Sequence, residues 1–287
     1  MTIVVTGATG HLGRLTVEAL LRRGVPAEQI TATGRRTETL ADLADRGVNV
    51  RRADYTDPES LREAFAGVER LLLVSSSEVG QRVDQHANAI NAAVEAGVDL
   101  IAYTSIPKAD TSSLMLAEEH RATEKLLEDS GVAHVLLRNG WYTENYTAQL
   151  PVYLQHGIAG AAGQGRVSAA PRADYAEAAA AVLAEDGHAG ATYELGGEAF
   201  TMTQLAHVIS EATGQPITYT DLSVEQYIQV LVAAGLPEPV AAVFADGDRG
   251  VATGELYVET VDLEQLIGRP ATPIAEAVAD AAAALRH

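Results

Sequence analysis

Short apolar runs alternate with longer segments of helical period through the first half of the chain. Ile3-Val4-Val5, Ile30 to Thr33, Val48 to Arg52, Leu71 to Val74, Leu100 to Thr104 and Val132 to Leu137 read as strands. Leu71 to Val74 is apolar without a break, as expected of a parallel strand buried on both faces. Leu12 to Arg23 places Leu12, Leu15, Ala19 and Leu20 on one helical face. Thr39 to Arg46, a helix opening at Asp57-Pro58-Glu59, Val83 to Ala96 and Leu116 to Ser130 complete the alternation. Asp57 suits an N-cap and Pro58 the first helical position, while Gly97 and Gly131 suit helix ends. Strand and helix alternating in this way predict an α/β, Rossmann-type doubly wound parallel sheet. The expected strand order is 3-2-1-4-5-6.

The pattern changes in the second half. Residues 157–165 are rich in glycine and alanine and read as a mobile or tightly packed loop. Asp174 to Ala184, Thr201 to Gly214, Ser223 to Gly235 and Ile274 to Arg286 read as helices, with Thr192 to Leu195 as a strand. The expected organisation is a dinucleotide-binding domain over residues 1–150 and a smaller, mainly helical lobe over residues 151–287, closing on the sheet's carboxyl edge.

The chemistry begins at the first strand–helix junction, Gly7-Ala8-Thr9-Gly10-His11-Leu12-Gly13. There Gly7 permits a tight turn, Gly10 lets backbone approach a pyrophosphate, and Gly13 allows close packing of helix on strand. The first amides of the helix then face the phosphates. An acidic residue usually follows the second strand when the cofactor has a free ribose 2′-hydroxyl. Here Arg35 and Arg36 stand at that place, and guanidinium groups fork onto a 2′-phosphate, which favours NADPH. Asp54, after the third strand, is placed to accept the adenine amino group or to cap a turn. Ser75, Ser76 and Ser77 end the fourth strand with small side chains that let a dinucleotide pass close by, and Gln81 and Arg82 can reach it from the next helix. Asn139 and Asn145 flank Trp141 and Tyr142, which either pack against a planar substrate or anchor the two lobes.

Composition narrows the class. A net charge of −19 repels nucleic acid and anionic lipid. The chain has no cysteine, which removes disulfides, thiolate metal sites and a thiol nucleophile, and no metal site is expected. No run reaches about 18 apolar residues, so no membrane span is expected. No basic prelude precedes the first strand, so no signal peptide is expected, and the lack of cysteine fits a cytoplasmic protein.

The glycine turn, Leu71 to Arg82 with its Ser-Ser-Ser-Glu-Val-Gly-Gln-Arg end, Ala102-Tyr103-Thr104-Ser105, Leu137 to Tyr146, and Arg172-Ala173-Asp174-Tyr175 together resemble the NmrA-like atypical short-chain dehydrogenases. Within that family the likeness is to the bacterial quinone reductases. The resemblance spans nearly the whole chain as one interleaved unit. It implies NADP(H) held by the glycine turn, Arg35, the serine run, Gln81 and the Asn139–Asn145 loop. It also implies direct hydride transfer to a quinone without a flavin. The wider superfamily uses a Tyr-x-x-x-Lys pair. Four residues before Lys125 stands Arg121, which stays protonated and cannot serve as the acid. Water, Lys125 or Tyr103 is then expected to supply the proton or steady the phenolate. Lys125 can equally hold the nicotinamide ribose or pair with Glu124 or Glu128. A non-catalytic NADP(H) sensor and a reductase of other planar acceptors, such as triphenylmethane dyes, remain open. The expected partner is a small quinone-like molecule, with a second copy of the chain also left open.

Overall fold

The fold was analysed on a computed structural model that describes residues 1–285. The first half holds β1 (Ile3–Val5), α1 (His11–Arg22), β2 (Ile30–Gly34), α2 (Ala41–Asp45), β3 (Asn49–Arg52), α3 (Pro58–Phe65), β4 (Arg70–Leu73), α4 (Arg82–Ala96), β5 (Leu100–Ser105), α5 (Met115–Ser130) and β6 (His134–Asn139). There follow β7 (Trp141–Tyr142), α6 (Glu144–Thr147), α7 (Leu150–His156), β8 (Ile158–Gly160), β9 (Val167–Ala170), α8 (Arg172–Ala184), β10 (Thr192–Leu195), β11 (Ala199–Phe200) and α9 (Met202–Thr213). The chain ends with β12 (Tyr219–Asp221), α10 (Val224–Ala233), α11 (Glu238–Ala252), α12 (Asp262–Ile267) and α13 (Ile274–Ala284). Arg286, included in the predicted last helix, lies outside the described residues.

The central sheet is parallel throughout, in the order β10-β6-β5-β4-β1-β2-β3. The predicted 3-2-1-4-5-6 arrangement is present, extended by β10 as a seventh strand beside β6. Alternation along each strand feeds two cores. Ile3, Val5, Leu72 and Ala102 pack with α1 and α8, whereas Val4, Leu71, Leu73, Ile101 and Tyr103 pack with α3 and α4. A third core gathers Leu114, Tyr146, Val167, Phe200, Leu205 and Val251 in the smaller lobe.

The two lobes interleave in sequence. The helix α8 and the strand β10 lie beyond residue 150, yet one packs on α1 and the other completes the main sheet. The glycine-rich stretch is no simple loop, since β8 lies in it and pairs in parallel with β12. It is the packed alternative that holds there: a Cβ on Gly165 would overlap the Val251 carbonyl. The helix α11 is absent from the sequence reading, because Pro239, Gly247 and Gly250 break its apparent period. Gly250 lies against Leu114 there, and a Cβ would come within 2.5 Å of the end of that side chain.

Candidate active site: a cleft at the carboxyl edge of the sheet

The strand order reverses between β1 and β4, and a cleft of about 500 Å³ opens there. Open α/β sheets bind ligands at such a reversal. Gly7, Thr9, Gly10, His11, Leu12 and Gly13 form its floor. The N-cap of α1 is Gly10, which offers no side chain to the first-turn amides. Those amides therefore stand ready for an anionic acceptor. The turn is closed by Gly10 N donating to the Gly7 carbonyl at 2.9 Å. A Cβ on Gly13 would lie 2.5 Å from the same oxygen, so only glycine lets helix and turn approach this closely. Ala8 is buried and spends its N–H on the Thr33 carbonyl at 2.8 Å, so it supports the turn without lining the cleft.

At one end of the cleft lie Arg35 and Asp54. The Asp54 carboxylate accepts from the Thr56 amide at 3.0 Å and its hydroxyl at 2.8 Å. That amide first, aided by the nearby Arg35 and Arg52 charges, holds its pKa below the usual value. Asp54 thus both caps a turn and faces the cleft. Beside it Tyr55 donates to the Val74 carbonyl at 2.7 Å and packs against Thr6. The sequence reading passed over Tyr55, although it directly follows Asp54.

The opposite wall is the serine run. Ser75, Ser76, Ser77 and Arg82 line it. The run is fixed from below. Ser75 N donates to Thr104 Oγ1 at 2.8 Å, and Ser76 N donates to His86 Nε2 at 2.9 Å. His86 must therefore carry its proton on Nδ1, which donates to Thr123 Oγ1 at 2.9 Å. Arg82 Nε donates to the Ser76 carbonyl at 2.7 Å, and Glu119 accepts from the Gly80 amide at 2.8 Å. Burial keeps His86 neutral, with its pKa pushed down to about 3. Gln81 is the exposed N-cap residue of α4 and stands outside the lining.

Tyr142 and Arg172 close the far end. Neighbouring residues of a strand point to opposite sides. Within β7 this sends Tyr142 into the cleft and Trp141 toward Gly247 and the small-lobe core. Trp141 thus takes the place of an anchor between the lobes. Arg172, the first residue of α8, stacks on Tyr142 and faces Asn145 Oδ1 at 3.3 Å. Asn139 is buried, with its Oδ1 lacking a partner. The only sequence signal for Arg172 was its place in the family resemblance.

The two expected proton donors lie elsewhere. Tyr103 is fully buried in the core between β5 and the helices, with its hydroxyl 2.7 Å from His120 Nδ1. Burial raises its pKa further above the usual tyrosine value. Lys125 is exposed on α5 and paired with Asp129 and Glu128. The preceding residue, Glu124, is turned inward instead, where it accepts from Arg138 at 2.7 Å. The inner face of α5 also buries Ala117, His120, Thr123 and Leu127, and Lys125 lies off that face, at the exposed surface. Arg121 is also structural, since it donates to the Ala109 and Ser112 carbonyls at 2.9 and 2.7 Å.

Fold and cleft together define a Rossmann-type dinucleotide-binding protein. Residues 1–270 match the NmrA-like family, and the chain belongs to that family. It is 51% identical to quinone oxidoreductase 2 of Escherichia coli K12 over 96% of this chain and 97% of that one. The crystal structure of an NADPH-dependent quinone oxidoreductase from Escherichia coli complexed with NADPH superposes with a TM-score of 0.95 at 50% identity, covering 97% of this chain and 99% of that one. The Citrobacter sp. triphenylmethane reductase complexed with NADP(H) gives a TM-score of 0.92 at 40% identity, over 98% of this chain and 100% of that one.

Proposed function

We propose that this chain is an NADPH-dependent quinone oxidoreductase that works without a flavin. The observation that carries this reading is the cleft itself. It joins an open helix N-terminus and Arg35 at one side to a Tyr142–Arg172 wall at the other, in a chain half identical to a quinone oxidoreductase. The residues fit the coenzyme. The amides of α1 would hold the pyrophosphate, Arg35 the 2′-phosphate, and Asp54 the adenine side. Ser75 to Ser77 would support the chain of the dinucleotide, with Asn139 and Asn145 at the nicotinamide side.

Bound NADPH supplies the hydride that, with one proton from solvent, turns a quinone into a hydroquinone. A quinone accepts hydride readily, so the protein mainly has to orient and exclude water. Tyr142 offers a flat face, and Arg172 beside it places positive charge where a phenolate would develop. Neither Lys125 nor Tyr103 lines this cleft, which supports water as the proton source.

The 40% identity to a triphenylmethane reductase supports a second reading, in which the same cleft serves another planar acceptor. Among the described residues no helix is long and apolar enough to cross a membrane. We read the protein as cytoplasmic from its likeness to a bacterial NADPH-dependent oxidoreductase.

The test is to mix purified protein and NADPH with a panel of benzoquinones, naphthoquinones and triphenylmethane dyes, following absorbance of the reduced nicotinamide. Fast oxidation with a quinone is expected. Tight NADPH binding without turnover by any acceptor would instead make the protein a redox sensor.

A further inference from the structure

An ion pair joins Arg35, at one end of the coenzyme cleft, to the segment that follows the serine run. Arg35 follows the end of β2, and Glu78 directly follows the serine run, just outside the residues that line the cleft. The Arg35 guanidinium donates to Glu78 Oε1 at 2.9 Å. Glu78 is held from behind. Its Oε2 accepts from Gln85 Nε2 at 2.8 Å, and its own amide donates to Ser76 Oγ at 3.2 Å. A second carboxylate, Asp54, lies close enough for Arg35 to stabilise its charge.

We propose that Glu78 is a specificity-determining residue, competing with the coenzyme's 2′-phosphate for Arg35 and so limiting the preference for NADPH over NADH. This rests on the coenzyme reading given above. A guanidinium binds phosphate best through two parallel N–H groups, and here one nitrogen is already committed to a carboxylate. A 2′-phosphate brought to Arg35 also comes close to the negative charge of Glu78. NADPH must therefore displace the pair or share Arg35 with it. NADH has no 2′-phosphate and leaves the pair intact. Arg35 and Glu78 side chains are 64% and 34% exposed, so the competition is modest and sensitive to salt.

The experiment measures dissociation constants for NADPH and NADH by nicotinamide fluorescence, using wild type, Glu78→Gln, Arg35→Ala and the double variant. Glutamine keeps an oxygen for Gln85 and removes the charge. The expected result is NADPH binding tightened about two- to fivefold in Glu78→Gln, with NADH unchanged. The gain should shrink in high salt and vanish in the double variant. The proposal is overturned if Glu78→Gln weakens NADPH binding, leaves it unchanged, or tightens both coenzymes alike. An Arg35→Ala variant that binds NADPH as wild type does would overturn the coenzyme reading itself. Weakened NADPH binding in Arg35→Ala beside a silent Glu78→Gln would overturn only the role given to Glu78.

Discussion

Arg172 stacks on Tyr142 with its guanidinium carbon 4.4 Å from the ring centroid, and Glu144 holds the same guanidinium at 3.5 Å. The pair joins the start of α8 to β7 and forms one end of the cleft. Replacing Arg172 by Ala removes both the stacking and the charge. The expected outcome is a fall in kcat/KM for quinone of about tenfold, because a desolvated cation–π contact and a charge near the reacting oxygen are both lost. Lysine at this position should restore only part, since it keeps the charge without the planar stacking. Steady-state kinetics of the two variants check this.

Lys125 should be silent. Its partners Asp129 and Glu128 lie on its own helix, at the exposed surface. Lys125→Ala is expected to leave kcat and KM for quinone within about twofold of wild type, as for other exposed pairs. A large loss of kcat would return it to the chemistry.

Gly13→Ala tests the close approach at the glycine turn. The new methyl would press on the Gly7 carbonyl and the Ala8 amide nitrogen, both backbone atoms that cannot rotate aside. Overpacking of this kind costs about 1–3 kcal/mol. A lowered Tm together with weakened NADPH binding is the expected outcome, read by thermal unfolding and fluorescence titration.

His86 makes stability depend on acid. It is a base whose folded pKa, about 3, lies below the ordinary 6.5 because burial disfavours its charged form. The unfolded chain therefore takes up the proton first. Stability should fall as pH drops below about 6.5 and keep falling toward 3. Protonation would also set an N–H against the Ser76 amide, loosening the serine run. Urea midpoints from pH 8 to pH 4 should fall, less steeply in His86→Gln.

Asp248 acts in the opposite sense. Burial raises its carboxyl pKa from 3.8 to about 6, despite the hydrogen bond from the Ala161 amide at 2.8 Å. The folded chain binds this proton first, so its unfavourable contribution is complete above about pH 6 and fades as pH falls toward 3.8. Asp248→Asn is thus expected to raise the urea midpoint at pH 7.5 and to lose that advantage near pH 4.

The chain's local pattern determined the alternation of strands and helices, the glycine turn and the resemblance to one family. Each of these depends on residues near one another: a period, a cap, or the φ and Cβ freedom of glycine at one junction. The rotation of a helix about its axis is different, because it is set by what the helix packs against. Glu124 meets Arg138 of β6 while Ala117, His120, Thr123 and Leu127 face the core, and Lys125 is left outward. Tyr103 reads like a site residue at the end of a strand, but the parity of β5 sends it into the core. Arg172 enters the cleft because α8, from the second half of the chain, packs on α1. Arg35 meets Glu78 only because β2 and β4 flank β1 in the sheet. The sequence named the ligand-binding edge, and the tertiary structure decided which side chains face it, since facing is fixed by contacts between residues far apart in the chain.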